Sequence, residues 1–204
     1  MKLGVLASGT GTNLQAILDR VHGREGVDVV AVASDQPSAK ALKRARSAGV
    51  PTAVFAQDQY AARADRDRAM AEWLAERGVE LVVLAGYMRL LSPEFLERFP
   101  QRVINVHPAL LPAFPGLDAV DQALAYGVKV FGATIHFVDE GVDSGAIIFQ
   151  RGVELADATN ADEVMAAIRP IEHELLCRAI LAISRGAVSG DPDHPRRVVV
   201  RDRA

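Results

Sequence analysis

Residues 3–21 read LGVLASGTGTNLQAILDRV, and this stretch decides the fold class. Its apolar start, Leu3–Ala7, is typical of a short buried strand that a Ser/Gly/Thr cluster ends. From Asn13 to Val21 the apolar residues recur at helical spacing. The stretch therefore predicts a strand, a glycine-rich turn and a helix in direct succession, which is the repeating unit of α/β folds.

The same alternation continues to about residue 106 and then changes. The continuous apolar run of Leu81–Ala85 is typical of a strand buried on both faces of a parallel sheet. Val130–Val138 and Ala146–Val153 are two predicted strands without a helix between them, which indicates a hairpin-like excursion. We predict an α/β fold with an open, mostly parallel, doubly wound sheet and a late antiparallel excursion. The other predicted strands are Val27–Ala33, Thr52–Phe55 and Arg102–Val106, and the predicted helices are Asn13–Val21, Ser38–Ala48, Tyr60–Arg77, Leu117–Tyr126 and Glu163–Arg185.

Composition limits the class of protein. With 204 residues, half of them hydrophobic, the chain fits one domain over residues 1–190 and a short basic tail over 191–204. A net charge of −3 gives no electrostatic reason to expect nucleic acid or a membrane surface as partner. The single cysteine, Cys177, cannot form an internal disulfide, and no apolar run approaches the roughly 20 residues of a membrane span. No signal peptide is expected at the N-terminus. We expect a soluble, cytoplasmic protein.

The loop Ser8–Asn13 is the first candidate ligand site, because ligands of open α/β sheets bind beyond the carboxyl ends of the strands. Its glycines allow a close approach, and the helix N-terminus offers N–H groups to a phosphate. The loop is neither a P-loop nor a complete dinucleotide fingerprint, since the third glycine is absent. A plain turn capped by Thr12 or Asn13 is the alternative. Asp35, which follows the second strand, could hold a ribose and keeps a nicotinamide-dependent enzyme open.

Asn105 and His107 form the second candidate site. Strand alternation places them on one side, about 7 Å apart, and Pro108 restricts His107 to an extended conformation. An amide donor beside a histidine suits oxyanion stabilisation and proton transfer.

Two further loops carry candidate residues. In the acidic turn 139–145, a carboxylate near His107 would fix the tautomer of the ring and raise its pKa, although an exposed hairpin turn is the plainer interpretation. The loop 86–91 combines apolar residues with one arginine, which suits a flat ring system with an acidic tail. A helix lead-in with a surface arginine fits it equally well.

Together these segments resemble the glycinamide ribonucleotide formyltransferases, folate-dependent enzymes of purine synthesis. The resemblance extends from Leu3 to about Arg185, with the motifs in the family's order. The matching segments are Ser8-Gly-Thr-Gly-Thr-Asn-Leu14, Leu84-Ala-Gly-Tyr-Met-Arg89, Ile104-Asn-Val-His-Pro-Ala-Leu-Leu-Pro112, Asp139-Glu-Gly-Val-Asp-Ser-Gly145 and Glu172-His173. The departures are Thr12 and Ala109 in place of serines, Asp118 in place of a histidine and Cys177 in place of a proline.

The resemblance implies transfer of the formyl group of 10-formyltetrahydrofolate, a co-substrate, to the glycinamide amine of 5-phosphoribosylglycinamide in de novo purine biosynthesis. It implies that Asn105 and His107 stabilise and protonate the oxyanion. It also implies that Asp143 orients His107, holds it cationic and helps to move protons. No metal is called for.

The resemblance also implies two binding sites for small molecules. The implied ribonucleotide site consists of Gly11, Thr12, Asn13, Arg169 and Glu172. The implied folate site consists of Arg63, Met88, Arg89, Leu90, Leu91, Asn105, Asp139, Glu140, Gly141, Val142 and Asp143.

Two other functions stay open from sequence. A formyltetrahydrofolate deformylase shares the donor chemistry, but such an enzyme usually carries an extra N-terminal regulatory domain. A nicotinamide-dependent oxidoreductase leaves Asn105, His107 and the acidic turn unexplained. Both a monomer and a homodimer are compatible with the sequence.

Overall fold

The computed structural model describes residues 1–201, and for Pro195 the backbone only. The chain divides into two compact units, Met1–Asn105 and Val106–Ala204. No helix among the described residues is both long and apolar enough to cross a membrane. The single domain over 1–190 and the tail over 191–204 stay predictions, and residues 202–204 of that tail lie outside the described residues.

The first unit contains a sheet of parallel strands. The strands are β1 (Lys2–Leu6), β2 (Asp28–Ser34), β3 (Thr52–Val54), β4 (Leu81–Leu84) and β5 (Val103–His107). Their order in the sheet is β3-β2-β1-β4-β5. Every residue of β4 is buried, as predicted for a strand covered on both faces. The helices are α1 (Thr12–Arg20), α2 (Lys40–Ser47), α3 (Arg63–Glu76) and α4 (Pro93–Arg98), with a 3₁₀ turn at Gln57–Gln59.

The order of these strands positions the first ligand loops. From β1 the chain moves outward to β2 and β3, and then returns to place β4 on the other side of β1. Right-handed crossovers therefore put α1 and α2 on one face and α3 and α4 on the other, and each pair of helices packs together. The loops that follow β1 and β4 meet at this switch point, where the Ser8 amide donates to the Gly86 carbonyl over 3.0 Å.

The second unit is built on an antiparallel pair. β6 (Val130–Phe137) pairs antiparallel with β7 (Ile147–Glu154), with Ala133 opposite Arg151. Its core packs α5 (Ala119–Tyr126) and α6 (Ala161–Ser184) against β6. The buried residues of this core are Val120, Ala123, Phe131, Val164 and Ile168. The predicted α/β class, with parallel strands first and antiparallel strands late, is confirmed.

The differences from the predicted elements lie at their ends. α6 begins two residues before its predicted start, because the Asn160 side chain caps it by accepting from the Glu163 amide over 3.0 Å. The chain beyond α6 adds two strands to those predicted, since β8 (Val188–Asp191) pairs antiparallel with β9 (His194–Val200). The exposed residues of β8 carry little apolar pattern, so only the pairing reveals the strand.

Candidate active site

Gly11 shapes the loop after β1. It caps α1 in the left-handed region, with φ of 71°, and no side chain caps the helix there. A Cβ at this position would lie 2.7 Å from the Ala41 Cα, so the loop packs directly on α2. Asn13 is buried, and its side-chain oxygen has no hydrogen-bond partner among the described residues. The N–H groups of a helix start without a side-chain cap suit an anionic ligand, and the unpartnered Asn13 oxygen can accept a hydrogen bond from a donor on such a ligand.

Gly11→Ala should therefore be costly. We expect it to lower the free energy of unfolding by about 2 kcal/mol, because a left-handed conformation costs an L-residue about 1–2 kcal/mol before the clash is counted. Urea unfolding of the two proteins measures the change. Gly9→Ala is the matched control in the same loop, since a Cβ there meets no atom within 4 Å. We expect a change of less than about 0.5 kcal/mol for it, and equal losses in both variants would contradict the argument.

Asp35 lies behind this loop, and its carboxylate is already used by the protein. Its Oδ1 accepts from the Ser8 hydroxyl over 2.6 Å, and its Oδ2 accepts from Gln36 Nε2 over 3.0 Å and Arg89 Nε over 3.1 Å. The residue is 4% exposed. A buried carboxylate with both oxygens engaged is not available to a ribose, so the observation that kept a nicotinamide enzyme open does not hold.

The loop after β4 presents apolar side chains to solvent. Met88 and Leu90 are each more than half exposed, which is unusual for large apolar residues in a cluster and typical of a ligand surface. Arg89 between them is exposed and paired with Asp35. The end of the loop is anchored where the Ser92 amide donates to Asp67 Oδ2 over 2.7 Å. Leu91 is partly buried, and Arg63 is exposed at the start of α3.

The second unit brings His107 and Asp143 together. His107 ends β5, two residues after Asn105, and its Nδ1 lies 3.2 Å from Asp143 Oδ2. Its Nε2 lies 2.8 Å from the Phe114 carbonyl oxygen. The Gly116 amide donates to the same Asp143 oxygen over 2.8 Å. The Asp143 carboxylate thus lies within hydrogen-bond distance of the His107 ring and the Gly116 amide.

A second histidine faces the same carboxylate, and sequence reasoning missed it. His136 lies near the end of β6 with its Nε2 3.5 Å from Asp143 Oδ1 and its Nδ1 2.8 Å from the Phe137 carbonyl oxygen. It is 1% exposed. The available signal was a histidine near the end of a predicted buried strand, shortly before the acidic turn.

Burial sets the protonation of this cluster. It lowers the pKa of His107 below its ordinary 6.5, outweighing the Phe114 carbonyl and the Asp143 carboxylate, which both raise it. The expected raised pKa is therefore wrong, because desolvation of the ring exceeds the attraction of the carboxylate, and His107 is favoured in its neutral form near pH 7. Burial raises the pKa of Asp143, but hydrogen bonds from His136 and Gly116 and the charges of both histidines bring it below the usual value.

The protonation of His107 can be measured directly. We expect its imidazole signals in NMR to titrate with a pKa below 6.5, and Asp143→Asn to lower that pKa further, because the substitution removes a group that raises it. Since the folded pKa lies below the unfolded one, protonation of His107 destabilises the folded state as the pH falls below about 6.5. A titration above 6.5 in the unaltered protein would contradict this account.

The turn that carries Asp143 is closed by its own residues. Asp139 Oδ1 accepts from the Gly141 amide over 3.1 Å and from the Ser144 hydroxyl over 2.7 Å. A Cβ at Gly145 would overlap sterically with the Phe137 carbonyl oxygen, so only glycine fits there. Asp143 adopts φ of 49°, a conformation that Asp and Asn tolerate best after glycine. Glu140, Gly141 and Val142 are exposed on the turn.

The remaining candidates lie on α5 and α6. Glu172 is buried and Arg169 is exposed, one turn apart on α6. Asp118 has φ of 56° and precedes α5 as its N-cap. The described residues contain no cluster of three or more His, Cys, Asp or Glu side chains that could hold a metal ion.

Comparison with known proteins matches most of the chain. The sequence profile of the formyl transferase family matches residues 1–180. Phosphoribosylglycinamide formyltransferase of Bacillus subtilis is 42% identical over 175 residues, which cover 85% of this chain and 89% of that protein. The trifunctional purine biosynthetic protein adenosine-3 of Drosophila melanogaster is 40% identical over 94% of this chain, but the match spans only 14% of that much longer protein.

Solved structures show the same similarity. Glycinamide ribonucleotide transformylase 1 from Symbiobacterium toebii has a TM-score of 0.94 and 45% identity, covering 99% of this chain and 94% of that one. The phosphoribosylglycinamide formyltransferase from Anaplasma phagocytophilum has a TM-score of 0.91 and 31% identity, covering 100% and 96%.

Proposed function

The chain belongs to the formyl transferase family and is a formyltransferase of purine biosynthesis, and we propose that the residues described above carry out the transfer. The donor is 10-formyltetrahydrofolate and the acceptor is the amine of 5-phosphoribosylglycinamide. The observation that carries the proposal is the His107–Asp143 pair at the end of the strand that holds Asn105. Neither a deformylase nor a nicotinamide enzyme is favoured, since the curated relatives are named as formyltransferases.

The catalytic residues act on the formyl group and on the attacking amine. The Asn105 side-chain amide donates a hydrogen bond to the formyl oxygen as negative charge develops there. His107 acts through Nε2, which must leave the Phe114 carbonyl to donate to the formyl oxygen or to accept a proton from the amine. The Asp143 carboxylate beside Nδ1 balances the charge when the ring takes that proton. One amine proton leaves as the new C–N bond forms, and the departing folate nitrogen takes up one proton, so the protons balance.

The two substrates are held by residues already described. In the first unit, Gly11, Thr12 and Asn13 bind the phosphate through the start of α1. In the second unit, Glu172 is proposed to accept hydrogen bonds from the ribose hydroxyls, with Arg169 one turn away on α6. In the first unit, the folate contacts the exposed apolar residues of the loop 86–91 and Arg63. In the second unit, the turn 139–143 is its proposed contact. The proposed setting is the cytoplasm, with the protein acting on small molecules as a monomer or a homodimer and without a metal.

A coupled spectroscopic assay tests the reaction. Purified protein is given 10-formyltetrahydrofolate with and without 5-phosphoribosylglycinamide, and the release of tetrahydrofolate is followed. Release that depends on the ribonucleotide supports the proposed transfer. Release at the same rate without it would mean hydrolysis, and no release in either case would contradict the assignment of both substrates.

A further inference from the structure

Asp35 connects two loops at the switch point and has no part in the chemistry just described. Its side chain is 1% exposed, whereas the side chain of its ionic partner, Arg89, is 46% exposed. The two residues are 54 positions apart in sequence. A buried carboxylate is costly unless it is paired and hydrogen-bonded, so this arrangement calls for an explanation.

Both oxygens of Asp35 act on the same segment. Oδ1 accepts from the Ser8 hydroxyl, and that hydroxyl in turn accepts from the Met88 amide over 2.9 Å. Oδ2 accepts directly from Arg89 Nε over 3.1 Å. One carboxylate thereby holds the backbone at Met88 and the guanidinium at Arg89, in the loop whose apolar side chains are exposed.

The guanidinium of Arg89 is engaged on one edge only. Its Nε is bound to Asp35, and among the described residues the structure gives its two terminal nitrogens no hydrogen bond. Guanidinium groups bind carboxylates through pairs of N–H groups, so the terminal nitrogens can take a carboxylate of a ligand. The exposed Met88 and Leu90 on either side suit a flat apolar body attached to it.

We propose that Asp35 is a positioning residue for the folate, holding the loop 86–91 in its binding conformation and orienting Arg89 toward an acidic group on the tail of that substrate. This inference rests on the proposed function and deepens it. Burial raises the pKa of Asp35, but hydrogen bonds from Ser8, Gln36 and Arg89 bring it below the ordinary value, so the carboxylate stays charged at neutral pH.

The binding of two ligands to Asp35→Asn tests the proposal. Isothermal titration calorimetry gives the Kd of tetrahydrofolate and of tetrahydropteroate, which lacks the glutamate, in the absence of ribonucleotide. We expect Asp35→Asn to weaken tetrahydrofolate about tenfold and tetrahydropteroate less than twofold, because asparagine keeps an acceptor for Ser8 and loses the charge that holds Arg89. At saturating folate, kcat should stay within threefold.

A double-mutant cycle identifies Arg89 as the route of the effect. Arg89→Gln should lose the same discrimination between the two ligands, and adding Asp35→Asn to it should change the Kd no further. Additive losses would overturn the proposal. Asp28→Asn, which removes an exposed carboxylate at the start of β2, the strand that Asp35 follows, is the control and should leave both Kd values unchanged.

The outcomes separate the inference from the proposed function. A folded Asp35→Asn protein with a lower melting temperature and unchanged discrimination would overturn the positioning role. If that variant does not fold, Asp35→Glu decides, since moving the charge by one methylene should reduce the discrimination as well, and unchanged discrimination would overturn the proposal. An unaltered protein that binds tetrahydrofolate and transfers no formyl group contradicts the proposed function alone, because the binding measurement needs no turnover.

Discussion

His107→Ala is expected to lower turnover by about 10²-fold or more, the usual scale for loss of a group that transfers a proton. The ring is the only titratable side chain at the end of β5, and it pairs with Asp143 over 3.2 Å. Binding of the folate and the ribonucleotide should change much less, because the residues proposed to hold the two substrates do not include His107. Steady-state kinetics combined with calorimetric binding separates the two effects.

Two further variants make this result specific. The ring of His107 is buried, so alanine leaves a cavity, and His107→Asn provides a variant of closer shape that should lose turnover to the same degree. His194→Ala removes an exposed histidine on β9 and should leave turnover unchanged. Near-normal turnover in both His107 variants would exclude the ring from the mechanism.

Asp143→Asn is expected to retain the fold and lose at least about 10²-fold in turnover. Asparagine tolerates the φ of 49° at this position, and its side-chain oxygen can still accept from the Gly116 amide. What it removes is the negative charge between His107 and His136, which stabilises a ring that takes up a proton. The loss should therefore appear in kcat more than in KM.

Circular dichroism and a control variant separate loss of charge from loss of structure. An unchanged spectrum would show that the substitution in the turn 139–145 has not unfolded the protein. Asp157→Asn, at an exposed carboxylate of the same unit, should leave kcat unchanged. Normal activity in Asp143→Asn would exclude its role in orienting and charging the histidines.

Several parts of the site could be predicted from local sequence. Gly11 precedes a helical pattern, so its role in the turn follows from the positions of its neighbours in the chain. His107 could be selected because it follows a predicted strand, where ligands of such folds bind, and Asp143 because it lies in the acidic turn between two predicted strands. Their distance of 3.2 Å could not be read from the sequence.

Other parts depended on contacts that the sequence does not display. His136 looks like a residue of a buried strand until β6 is seen to end beside Asp143. The pKa of His107 was expected to rise, because its carboxylate partner could be named while the burial of the ring could not. A ribose was left open as the partner of Asp35, because nothing in the chain near it reveals Arg89, 54 residues away.

Local sequence was enough to predict the α/β class, most strands and helices in their order along the chain, the family resemblance and the candidate residues other than His136. These properties follow from apolar periodicity, glycine and proline positions and short motifs, all of which are local along the chain. The folded structure was needed to establish which side chains share a carboxylate, which polar groups are buried and in which direction each pKa moves. Those properties depend on distance and desolvation, which arise when residues remote in sequence pack together.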